Sequence, residues 1–120
     1  MSQTQMYKAQ IETISREDLT QLQIERMQST LNRVYRNVAF YRMAFDSYRV
    51  NLERLKDLDR LRELPFTTRE DLRKSYPYNM FAVPLRDIVR IHSTSGTTDR
   101  PIVIGYTRSD LRNWTECAAR

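Results

Sequence analysis

The sequence predicts an α/β chain, expressed in this portion as an α+β order: helices first, then one β-hairpin, then a helix. Three observations carry this. Apolar residues recur at helical spacings of three and four through residues 24–64. Runs of β-branched residues appear only after Pro84, in DIVRIHS and PIVIGY. Gly and Pro are scarce, two and four in 120 residues, which excludes collagen-like and low-complexity chains. The organisation that follows is a helical subdomain over residues 1–80 and a hairpin-plus-helix unit over residues 81–120.

The elements can be justified in order. Residues 1–14 read as a loosely attached lead-in. Ser15 is a helix N-cap with Asp18 three residues on, an Asp version of the capping box, and Glu17 and Asp18 suit the positive end of the helix dipole. Ile24, Met27, Leu31, Val34 and Val38 then form one stripe, so a helix is expected over about 16–36. A second helical stretch near 38–48 carries Phe40, Tyr41, Ala44, Phe45 and Tyr48, an aromatic set read as core or interface. Leu52, Leu55, Leu58, Leu61 and Leu64 recur among charges as one or two short turns, which Pro65 ends. Thr68 with Asp71 opens a short helix that Pro77 stops. Two strands follow around residues 88–93 and 102–106. Thr107 with Asp110 caps the last helix.

Composition narrows the function classes. At 14.4 kDa the chain would expose roughly 7,000 Å² folded against about 21,000 Å² unfolded, enough for one core and not two. That is small for an enzyme that buries two ligands between domains. A single Cys excludes an internal disulfide and fits a reducing, cytoplasmic setting. No apolar run reaches the roughly 20 residues that span a bilayer, and MSQTQMYKAQIETIS lacks the apolar centre of a signal peptide. No membrane partner is expected. The net charge of +5 is spread among acids, as in ERLKDLDRLREL, without a lysine block or zinc spacing. It reads as solvated helix surface rather than a nucleic-acid footprint.

Chemistry concentrates in HSTSGTTDRP. Residues 93–98 present five hydroxyl side chains and one glycine. A loop of this composition offers backbone N–H groups and hydroxyls without bulk, a good cradle for phosphate oxygens. Gly96 permits close backbone approach, and Arg100 supplies charge-assisted hydrogen bonds. The loop is not a Walker motif, since it lacks G-x-x-x-x-G-K-[ST] and leads into a strand. By composition alone a polar hairpin turn explains it equally well.

The order of residues favours phosphate binding. The loop resembles the [ST]-[ST]-G-[ST]-[ST]-G-x-P signature of adenylate-forming enzymes. LPFTTREDLRKSYPYNMFAVP, RIHSTSGTTDRPIVIGYT, the following Trp and the helical stretch SREDLTQLQIERMQSTLNRVYRNVAFYR are together similar to the phenylacetate–coenzyme A ligase family and its aryl-CoA ligase relatives. The resemblance covers nearly the whole chain. It implies the N-terminal part of a ligase that uses ATP and Mg2+ to activate an aryl carboxylate, releases pyrophosphate, and passes the acyl group to coenzyme A. It further implies that Ser93, Thr94, Ser95, Gly96, Thr97 and Thr98 line the β- and γ-phosphates, with Arg100 in the place of a basic residue. Positioned donors of this kind hold a leaving pyrophosphate and offset the charge developing on it. Asp99 stands where the family has a second glycine, which narrows the loop and sets a carboxylate beside phosphates. Weaker nucleotide binding than in a Gly-bearing relative is therefore expected.

No catalytic residue is assignable, nor is a metal ligand. His92 and Trp114 read as structural, and Cys117 as a packed small residue. The adenine, aryl and coenzyme A pockets, and a C-terminal domain with its lysine, are not found in these residues. The isolated chain is therefore expected to make no acyl-CoA and to be loosely packed or self-associating, as a homodimer or larger species. The alternative is a non-catalytic remnant or helical interaction module built from the same residues.

Overall fold

The computed structural model describes residues 8–95 and 100–119. Helix α1 (Ala9–Glu12) is one turn, α2 spans Arg16–Asn37 and α3 spans Ala39–Ser47. Two 3-10 turns follow at Leu52–Arg54 and Leu58–Glu63, then α4 (Arg69–Lys74) and a third 3-10 turn at Leu85–Asp87. Strands β1 (Ile88–Ser93) and β2 (Val103–Thr107) form a two-stranded antiparallel sheet, and α5 (Arg108–Ala118) comes last among the described residues. The mixed class and the order of elements are those the sequence predicts.

The caps are where the sequence puts them. Asp18 N–H donates to the Ser15 hydroxyl at 3.0 Å to start α2. Thr68 with Asp71, and Thr107 with Asp110, form full capping boxes that open α4 and α5. The reciprocal bonds satisfy N–H groups that have no partner inside the helix. The lead-in is more ordered than expected. It contains α1, and Lys8 Nζ reaches Glu116 of α5 at 2.8 Å. This exposed pair ties the start of the described chain to its end but adds little stability.

Helices α2 and α3 pack as a hairpin around Val38, which is fully buried. The stripe on α2 turns inward as its spacing requires: Leu31 is buried, with Met27 and Val34 packed beside it. Phe45 of α3 fills the centre at 3% exposure and Leu55 closes it from below at 1%. Tyr35 and Tyr41 flank Phe45 with ring centroids 6.4 and 5.9 Å away. The aromatic set is therefore core in part only, since Tyr48 at its end is exposed. Helix α3 ends in a Schellman arrangement. Val50 N–H donates to Phe45 C=O at 2.8 Å and Arg49 N–H to Asp46 C=O at 3.1 Å. This puts Arg49, not a glycine, in the left-handed region at φ 53°.

The hairpin joins this body through one close contact. A Cβ built on Gly105 would lie 2.6 Å from the ring of Phe81, so the strand approaches that ring as only glycine allows. Beside this contact a cleft of ≈ 500 Å³ runs between the two regions, lined by Val34, Tyr41, Met80, Ile102 and Asn113 among others. Among the described residues only Leu31, Val38, Phe45 and Leu55 are buried. The accessible surface is 9883 Å², against about 7,000 Å² for a compact monomer of this mass. The radius of gyration is 17.6 Å, where about 14 Å is usual for this length. Loose packing is thus a property of the fold.

Candidate phosphate-binding site

The candidate loop hangs from the open end of the hairpin. Ser93 is the last residue of β1, opposite Val103 of β2. Beyond it Thr94 makes two bonds across the base of the loop. Its N–H donates to Ile102 C=O, and its hydroxyl accepts from Ile102 N–H, both at 3.0 Å. Thr94 therefore pins the two sides of the loop together, a role the sequence reading did not foresee. A hydroxyl accepts and donates at once, so this bond leaves the O–H chemistry compatible with a phosphate oxygen.

Ser93, Thr94 and Ser95 on one side and Arg100 on the other are all exposed at this end of the sheet. Three hydroxyls and a guanidinium converge there without an acidic side chain among the described loop residues, and this donor set suits an anion. Gly96, Thr97, Thr98 and Asp99, which the sequence singles out with them, lie outside the described residues. Arg90 and His92 stand two and four residues into β1 and are exposed as well.

Three residues take places other than those expected. His92 has its imidazole against Tyr106 and Trp114, with ring centroids 5.0 and 6.0 Å away, while Tyr106 and Trp114 stack at 5.6 Å. Trp114, expected in the core, is 49% exposed, because α5 lays it across one face of a sheet only two strands wide. Cys117, expected to be packed, is exposed on the same helix. The aromatic trio was legible only in pairing terms: His92 lies opposite Ile104, which brings Tyr106 of the neighbouring rung diagonally across from it. Nothing in the linear spacing of residues 92, 106 and 114 announces this.

Comparison with known proteins places this arrangement. No family model matches the chain. Curated relatives do. The phenylacetate-coenzyme A ligase of Escherichia coli K12 is 46% identical over 110 residues, which are 92% of this chain and 25% of that enzyme. The chain has phenylacetate-coenzyme A ligase-type sequence. The corresponding ligase of Thermus thermophilus is 43% identical over 115 residues, covering 96% of this chain and 26% of the relative. The chain thus spans about a quarter of the length of these ligases, in their N-terminal part. Among solved structures, a 2-hydroxyisobutyryl-CoA ligase in complex with 2-HIB-AMP and CoA in the thioesterification state superposes with a TM-score of 0.79 at 29% identity. The match covers 90% of this chain and 24% of that one. An open conformation of the same ligase gives 0.77 at 25% identity. The helical body and hairpin therefore recur within chains about four times as long.

Proposed function

We propose that this chain supplies the phosphate-gripping part of an ATP-dependent, AMP-forming aryl-acid–coenzyme A ligase. One observation carries the reading: Ser93, Thr94, Ser95 and Arg100 meet at the open end of the hairpin, on a loop base locked by the Thr94–Ile102 bonds. With Gly96, Thr97 and Thr98 they form a row of donors for the β- and γ-phosphates of ATP. Arg100 offsets the charge that accumulates on the departing pyrophosphate. The 1–80 helical part serves as the platform and the 81–120 part as the working unit. In the complete reaction an aryl carboxylate, with phenylacetate the family default, reacts with ATP and coenzyme A to give acyl-CoA, AMP and pyrophosphate.

Magnesium belongs with the nucleotide in this scheme. Among the described residues no group of three or more His, Cys, Asp or Glu side chains could hold a metal ion. The ion supplies charge neutralisation at the phosphates when bound, and the chain's share is to position their oxygens. A metabolic enzyme of this kind works in the cytoplasm, and no helix among the described residues is long and apolar enough to cross a membrane.

The test is a chimera. Residues 1–120 replace the matching quarter of the Escherichia coli ligase, and phenylacetyl-CoA formation is assayed. Arg100→Ala is expected to raise KM for ATP about tenfold while leaving KM for phenylacetate near its starting value. Asp99→Gly is expected to tighten ATP binding, by widening the loop and removing a carboxylate from beside the phosphates. An inactive chimera, or an ATP response unmoved by Arg100→Ala, defeats the reading.

A further inference from the structure

The face made by β1, β2 and α5 is built to be covered. A two-stranded sheet has two open edges, and here neither is shielded by a second sheet or a run of charges. The alternation set by the Thr94–Ile102 bond turns the main-chain groups of residues 91 and 93 on β1, and of 103 and 105 on β2, away from the pair. Val89, Ile91, Ile104 and Trp114 are each exposed by 45–49%. Open edges with β-branched and aromatic side chains are adhesive unless something pairs with them.

The size of the uncovered surface indicates the size of the partner. The chain exposes 9883 Å², roughly 3,000 Å² more than a compact monomer of its mass. That excess is of the order buried by one side of a large obligate interface, and well above the ~800 Å² per partner of an ordinary transient one. The same fold recurs, at a TM-score of 0.79, within a ligase of which it makes up only 24%. There the remaining three quarters of the polypeptide are available to cover it.

We propose that this face docks, as a separate chain, onto the polypeptide corresponding to the three quarters of a phenylacetate-coenzyme A ligase that this sequence does not match. The 120-residue chain then acts as a complementing subunit, adding strands to the partner's sheet through main-chain pairing and anchoring with Trp114 and Ile91. This rests on the ligase reading above.

The experiment co-expresses the 120-residue chain with an Escherichia coli ligase lacking its matched segment, in a preparation that the enzyme's own segment restores when supplied separately. The expected result is a one-to-one complex on analytical ultracentrifugation and ATP-dependent phenylacetyl-CoA formation that neither chain shows alone. Ile91→Lys and Trp114→Ala, both at exposed positions and so harmless to the free fold, are each expected to weaken the complex about tenfold or more. No complex in trans, while the covalent chimera is active, overturns the docking and leaves the ligase reading standing. A chimera that is also inactive overturns both. A homodimer of the 120-residue chain that does not exchange for the truncated ligase likewise overturns it in favour of self-pairing.

Discussion

Around Phe45 the chain closes a core, with Leu31 and Leu55 buried against that ring and Tyr35 and Tyr41 at its rim. Around Tyr106 the same chain leaves every residue of β1 and β2 at least partly exposed. The difference is one of layers. Two helices joined by Val38 can bury a stripe of each against the other, and the 3-10 turns carrying Leu55 close the third side. A pair of strands has two faces and two edges, and one short helix with one phenylalanine cannot cover them. The helical body is therefore a platform that holds itself together, and the hairpin is an element whose environment is only partly supplied by these residues.

This contrast can be broken or sharpened by substitution. Phe45→Ala is expected to have the largest effect, about 3–5 kcal/mol in urea unfolding, because it opens the centre of the only core among the described residues. Ile104→Ala, at a position 45% exposed, is expected to cost less than about 1 kcal/mol in the same measurement. Equal losses at the two positions would mean that the regions do not differ as described.

Gly105→Ala separates the regions in another way. The added methyl meets the Phe81 ring at 2.6 Å, so the hairpin must lift or the ring must turn, at about 1–3 kcal/mol. Amide exchange should then quicken in β1 and β2 while α2 and α3 keep their protection. Uniform quickening would show that the hairpin and the body unfold as one unit.

Within the body, Arg49→Gly is expected to stabilise by about 0.5–1 kcal/mol, since the left-handed backbone at φ 53° suits glycine and strains any other residue. The thermal midpoint reports it, and a fall would contradict the Schellman reading of the α3 end.

The smallest effect concerns acid. The Thr68 hydroxyl and then its N–H donate to the Asp71 carboxylate and hold it below the ordinary carboxylate range. A lowered folded-state value means that the cap's contribution is present above the ordinary value and is lost as pH falls through the folded one. Helix α4 should therefore fray on acidification from about pH 5 to about pH 3, and Thr68→Ala should flatten that dependence in amide exchange. An α4 whose exchange is indifferent to pH would remove the capping box from the account.

The sequence by itself determined the local structure. Ser15, Thr68 and Thr107, each followed by Asp three residues on, specify helix starts because the capping bonds are made within one turn. The stripe from Ile24 to Val38 specifies which face of α2 turns inward, and the β-branched runs specify the strands. Ser93, Thr94, Ser95 and Arg100 were legible as loop chemistry from residue type and order. The two-sided bond between Thr94 and Ile102 was not, because it depends on a strand register that residue spacing leaves undetermined. Tertiary structure alone decided that Trp114 lies half exposed across Tyr106 and His92, that Gly105 is needed for contact with Phe81, and that Cys117 faces solvent. Burial is settled by how many layers lie over a residue. Apolar character in a sequence shows which side chains seek cover, and only the packed chain shows which of them find it.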